Sequence, residues 1–110
     1  MKPTTISSDR DTAMSETLAT RTVVVTDPAG VHARTAVAIA EVVRASKSSV
    51  ILVMGDLRVV ATDVLQIMTM VADQGKTIVL EAAGPNADAV LDLLEPLFAG
   101  KFGNGEQKSV

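Results

Sequence analysis

His32 is the only histidine in the chain, and it lies in the stretch AGVHARTA, Ala29–Ala36, two residues after Gly30 and two before Arg34. An imidazole beside a guanidinium suits phosphoryl chemistry: a neutral ring offers a nitrogen lone pair as nucleophile, and the guanidinium matches phosphate oxygens. The alanine-rich run that follows predicts a helix from about Val31, with Gly30 closing the loop before it. His32 then stands in the first turn of that helix. There, unpaired backbone N–H groups and a macrodipole worth about half a positive charge favour anions and disfavour a protonated imidazole. The same residues also fit a plainer role, an ordinary loop or capping histidine with Arg34 as a solvated charge, and local spacing leaves both open. A third reading, an enzyme with His32 as general base, finds no second histidine, no cysteine and no locally paired carboxylates to work with.

Composition narrows the function classes further. A chain of 110 residues, 47% hydrophobic and 21% charged, has room for one domain around one core. Ten basic against thirteen acidic side chains leave a net charge of −3, and the two aromatics, Phe98 and Phe102, give no stacking platform, so nucleic acid is not an expected partner. No cysteine and one histidine make no metal-ligand set and no disulfide framework, so neither metal nor cofactor is expected. The first twenty residues lack the apolar stretch of a signal peptide, and charges interrupt every later hydrophobic run. The expectation is a cytoplasmic monomer with no membrane insertion.

The elements that must position His32 are legible from changes of period. Residues 1–20, rich in Ser, Thr and Asp, read as a disordered extension, within which Met14 is itself a plausible start; residues 104–110 read as a flexible tail. Between them lies one domain, residues 21–103. Arg21–Val25 (RTVVV) predicts a first strand stopped by TDPAG, and a helix follows to Ser46, apolar around so much of its girth that either both sides are covered or one is kept for a partner. SVILVM and LRVVA, parted by Gly55-Asp56, predict a hairpin within residues 49–61. A second helix is expected from Asp63 as cap, with Gln66 completing a capping box, a stripe of Val64, Ile67, Met68 and Val71, and an end at Gly75. KTIVLEA is a fourth strand. Asn86 should cap a last helix that Pro96 kinks or ends early. The order β-α-β-β-α-β-α implies an α+β open-faced sandwich, a four-stranded, mainly antiparallel sheet with three helices on one face.

In that order of elements, AGVHARTA resembles the active-site loop of the histidine-containing phosphocarrier family HPr, whose usual form is G-[IL]-H-A-R-P-A. The likeness runs from residue 22 to about 103 and includes IMTMVADQG and VLEAAG. It implies that His32 accepts a phosphoryl group on Nδ1 from phosphoenolpyruvate through enzyme I and passes it to an enzyme IIA domain of the sugar phosphotransferase system. Arg34 would steady the phosphoryl charge, with Ala33 and Thr35 beside the phosphate. The chain would be a stoichiometric carrier, or, in a second branch, a regulator whose phosphorylation state controls partner proteins. Val64, Leu65 and Met68 resemble the family's apolar docking patch; Leu65 and Met68 are expected to be partly exposed, Ile67 and Val71 to be core.

Two positions depart from the family pattern. Thr35 replaces the motif's proline, which keeps an N–H and adds a hydroxyl suited to phosphate. Asp63 stands where many members carry a regulatory serine. It is a good helix cap, yet it cannot be phosphorylated by a serine kinase and places a permanent charge where the switch would place a conditional one. Ser46 does not match that site, and Thr62 and Thr69 are weak substitutes.

Overall fold

A computed structural model describes residues 18–102; residues 1–17 and 103–110, with most of the expected extension and the whole expected tail, lie outside the described residues. The chain runs β1 Leu18–Val24, α1 Ala33–Ser46, β2 Ser49–Met54, β3 Leu57–Val60, α2 Val64–Thr69, β4 Thr77–Ala83 and α3 Ala87–Leu94, then a short 3₁₀ helix, Glu95–Ala99. The sheet order is β1-β4-β2-β3 and every pairing is antiparallel. Both β1 and β2 flank β4, so the connection through α1 is a split β-α-β unit, and the connection through α2 from β3 to β4 straddles β2 in the same way.

Alternation of side chains along the strands decides which face is covered. Val23, Val50, Leu52, Val59, Ile78, Leu80 and Ala82 point into one core. Cross-strand registers such as Val23 opposite Ile78 and Leu52 opposite both Leu80 and Val59 stack these side chains in adjoining rows. The helices contribute Ala36, Ile39 and Val43 from α1, Ile67 from α2, and Val90, Leu91 and Leu94 from α3 to the same core. The other face carries Thr22, Val24 and Val60, which are exposed. The hairpin turns through Gly55 and Asp56, with φ +61° at Gly55, the glycine-first arrangement of a type II′ turn.

Several expectations are corrected. β1 begins at Leu18 rather than Arg21, because Leu18, Ala19 and Thr20 pair with Ala83, Ala82 and Glu81 of β4; the last three residues assigned to the extension therefore belong to the sheet. α1 starts at Ala33, with His32 outside it. α2 stops at Thr69 rather than near Gly75, and Val71, expected in the core, is 65% exposed with φ +51°. A β-branched side chain is strained in that left-handed region, so the chain is turning there and the helical stripe cannot continue. Asp63 caps α2 as expected, accepting the Gln66 N–H at 3.1 Å, but the Gln66 side chain accepts from the Val60 N–H at 3.1 Å instead of closing the box on Asp63. Asn86 holds the N-cap position of α3, yet its side chain donates to the Ser46 carbonyl at 2.9 Å. Pro96 acts as predicted: α3 ends at Leu94, and the chain tightens into the 3₁₀ helix.

Candidate functional site

The loop carrying His32 is built at one end of the sheet and tied down on two sides. Toward the segment before β4, the Val25 N–H donates to the Lys76 carbonyl, the Gly75 N–H to the Val25 carbonyl, and the Val31 N–H to the Ala72 carbonyl, at 2.8–2.9 Å. Toward the 3₁₀ helix, the Thr26 and Asp27 N–H groups share the Phe98 carbonyl at 3.0 and 3.2 Å. Inside the loop the Asp27 carbonyl accepts from the Gly30 N–H at 2.8 Å, and Asp27 Oδ1 accepts from the Ala29 N–H at 2.9 Å, an Asx turn. Strand end, loop and helix start thus form one braced unit.

His32 is the N-cap of α1, with an extended backbone at φ −101° and ψ −175°, and so stands just before the first turn in which it was expected. Its side chain makes no capping hydrogen bond, which removes the capping role from the plain reading. The first bond of the helix runs from the Ala36 N–H to the His32 carbonyl, so the N–H groups of Ala33, Arg34 and Thr35 precede the helical ladder. No acidic residue occupies that first turn to compete for the positive end of the dipole.

Around the imidazole the tertiary fold adds two groups that the local motif does not contain. Asp27 Oδ2 lies 3.7 Å from His32 Nε2. Phe102 is the second, its ring centroid 6.0 Å from that of His32 and 4.6 Å from the Arg34 guanidinium carbon, a cation–π contact. Neither belongs to the local motif: Asp27 lies in the TDPAG loop that stops the first strand, and Phe102 lies seventy positions from His32. The TDPAG loop was the available signal for Asp27, since an aspartate five residues before a histidine across a turn can fold back on it. An open hollow of about 500 Å³ close to the histidine is lined by Ala33, Arg34, Val37, Ala38, Glu41 and Phe102, along the exposed side of α1.

Thr35 requires a correction. Its side chain is buried at 1% exposure, and Oγ1 has no hydrogen-bond partner among the described residues, so the hydroxyl does not face the surface where phosphate would sit. Ala33 and Arg34 are exposed. In the expected docking patch, Leu65 is 77% and Met68 37% exposed, while Val64 packs partly against the core. Ile67 is buried, as expected.

Asp63 is not brought to the histidine. Arg44, in the last turn of α1, donates to the Thr62 carbonyl at 3.1 Å, whereas Ala72, beyond the end of α2, holds Val31. The start of α2 therefore lies by the far end of α1, and from His32 to Arg44 that helix rises ~18 Å.

Comparison with known proteins gives the class. The family model described as "PTS HPr component phosphorylation site" matches residues 19–100. The Phosphocarrier protein HPr of Treponema pallidum is 38% identical over 82 residues, 74% of this chain and 93% of that protein. The Phosphocarrier protein NPr of Shewanella violacea is 33% identical over 82 residues, 74% of this chain and 90% of that one. In fold, the chain is similar to the phosphocarrier protein HPr of Bacillus anthracis, with a TM-score of 0.69 at 20% identity over 73% of this chain and 95% of that structure. The chain belongs to the HPr family of phosphotransferase-system phosphocarriers.

Proposed function

We propose that this chain accepts a phosphoryl group on His32 Nδ1 from phosphoenolpyruvate by way of enzyme I and hands it to an enzyme IIA domain of the sugar phosphotransferase system, as a cytoplasmic monomer. The observation that carries the reading is the placement of His32: an N-cap imidazole, part-exposed and unused as a cap, at the N-terminus of a fourteen-residue helix and close to the Arg34 guanidinium. In the acceptance step the Nδ1 lone pair forms the N–P bond as the bond between phosphorus and its donor breaks, the bonding pair leaving with the donor. The transferred oxygens then face the N–H groups of Ala33 and Arg34, with that of Thr35 in addition, and the guanidinium. All of these are oriented before charge arrives, the arrangement that stabilises it most effectively. The Phe102 face restrains the Arg34 head group close to the ring.

Nothing in this arrangement requires the chain to turn over a substrate. It gains and loses one phosphoryl group, and its partners supply the remaining catalytic groups, so it works as a carrier rather than an enzyme. Leu65 and Met68, with part of Val64, form the apolar surface on which enzyme I and enzyme IIA dock in turn.

A second reading has an observation of its own. Asp63 puts a permanent carboxylate at the start of α2, and one relative is named NPr, which fits a regulatory branch in which phosphorylated and free forms bind different control proteins. The two readings part in one experiment. Phosphorylated chain, freed of enzyme I, is mixed with the sugar-specific IIA domains of its own cell. Passage of the label to one of them supports the relay; label that stays on the chain, together with a partner that binds only one of the two forms, supports regulation.

A further inference from the structure

The carboxylate of Asp27 is placed more firmly than a turn requires. Its side chain is only 13% exposed. Oδ1 is occupied by the Ala29 N–H, and the main chain on both sides is tied by the Phe98 carbonyl and the Gly30 N–H. Gly100 lies close against the group: a β-carbon there would come within 2.8 Å of Oδ2 and 3.0 Å of Cγ. Oδ2 thus has little room on the Gly100 side and lies 3.7 Å from His32 Nε2. That separation is longer than a hydrogen bond, and closing it takes a shift of under ~1 Å.

Oδ1 has its donor in the Ala29 N–H, and Oδ2, on the same largely covered side chain, is best served by a donor that faces it too. The imidazole meets that need when its proton is on Nε2, and a proton there leaves the lone pair on Nδ1. We propose that Asp27 is a positioning residue for phosphoryl transfer: it holds His32 in the Nε2–H tautomer and then offsets the positive charge that the ring acquires. The proposal rests on the reading of His32 as the acceptor. As the Nδ1–P bond forms and the donor–P bond breaks, Nε2 keeps its proton and the ring becomes cationic beside Asp27. In the onward step the N–P electron pair returns to Nδ1 and the ring is neutral again. A carboxylate aimed at the second nitrogen of a working histidine sets its tautomer and orientation in the same way in hydrolytic triads.

The test uses Asp27→Asn, which keeps the size but loses the charge, Asp27→Ala, and two readouts. Ring nitrogen-15 chemical shifts of the unphosphorylated protein at about pH 8, above the ordinary histidine range, report the tautomer. The rate of label uptake from phosphoenolpyruvate and enzyme I reports the transfer. Wild type is expected to be mainly Nε2–H; Asp27→Asn should shift population toward Nδ1–H and slow uptake at least tenfold, and Asp27→Ala should do both. A wild-type ring that is mainly Nδ1–H overturns the proposal even if neither variant folds. Wild-type tautomer and rate in a folded Asp27→Asn also overturn it, while leaving the carrier reading intact. A wild-type protein that takes up no label from its own enzyme I overturns the carrier reading, and the role of Asp27 in transfer with it.

Discussion

Gly30 and Ala72 meet so closely that a β-carbon on Gly30 would lie 2.9 Å from the Ala72 carbonyl oxygen, the same oxygen that accepts the Val31 N–H. Gly30 also has φ +71°. Two demands therefore fall on one position, and both decide where the next residue but one, His32, is held. Gly30→Ala should lower stability by about 2 kcal/mol or more, combining left-handed strain with a clash against backbone that cannot swing away. In urea titration this is a midpoint lower by about 1 M. Phosphoryl uptake should fall too, and an unchanged midpoint would show that the loop relaxes more easily than its bracing suggests.

Thr35 leads to the opposite sign. Removing a buried hydroxyl without a partner while keeping the shape of the side chain relieves a desolvation cost, so Thr35→Val should be neutral or stabilising by up to about 1 kcal/mol. Since Oγ1 is turned inward, uptake of label should stay within a factor of two of wild type. A loss of more than about 1 kcal/mol in thermal or urea unfolding would mean that the hydroxyl has a partner after all.

The patch on α2 separates docking from folding. Leu65 and Met68 are exposed enough that Leu65→Glu and Met68→Glu should cost little stability, yet an unpaired charge within a desolvated apolar contact should weaken enzyme I binding tenfold or more. Val64 packs against the core, so Val64→Glu should lower the melting temperature as well. Titration calorimetry alongside thermal unfolding distinguishes the cases. Normal affinity in both exposed variants would remove this face from the interface.

Asp63 combines a cap with a distant charge. Losing the bond to the Gln66 N–H should cost about 1 kcal/mol in Asp63→Ala and only a few tenths in Asp63→Ser, because serine caps nearly as well. The site lies by the far end of α1, beyond a Debye length of ~8 Å at physiological salt, so its direct field at His32 is weak. Either variant should therefore raise uptake at limiting concentrations of an acidic enzyme I, more at low salt, and leave the saturated rate unchanged. A changed saturated rate would place Asp63 closer to the chemistry than the contact between Arg44 and Thr62 implies.

Most of the fold was legible because its signals are local. The hairpin strands, the Gly55-Asp56 turn, the cap at Asp63 and the break at Pro96 each act within a few residues, and each lies where the pattern puts it. The errors share a cause, which is that tertiary pairing overrides local pattern. Leu18–Thr20 end a Ser- and Thr-rich stretch that reads as disordered, yet they pair with Ala83, Ala82 and Glu81. Val71 continued a helical stripe on paper, yet the chain must turn there so that Ala72 can hold Val31. At the site, His32 and Arg34 are neighbours in sequence, and their spacing alone brings them together. Asp27 and Phe102 reach them only after the chain has folded back, and the inward turn of Thr35 follows from packing that no motif records.

The role of His32 as phosphoryl acceptor is tested most directly by chemical labelling. The protein is incubated with phosphoenolpyruvate and its own enzyme I, and the phosphoryl content is measured by intact mass before and after mild acid. The predicted result is one acid-labile phosphoryl group per chain in wild type, slower uptake in a folded Arg34→Ala, and none in His32→Ala. Phosphoryl groups that survive acid, or that persist in His32→Ala, would contradict it.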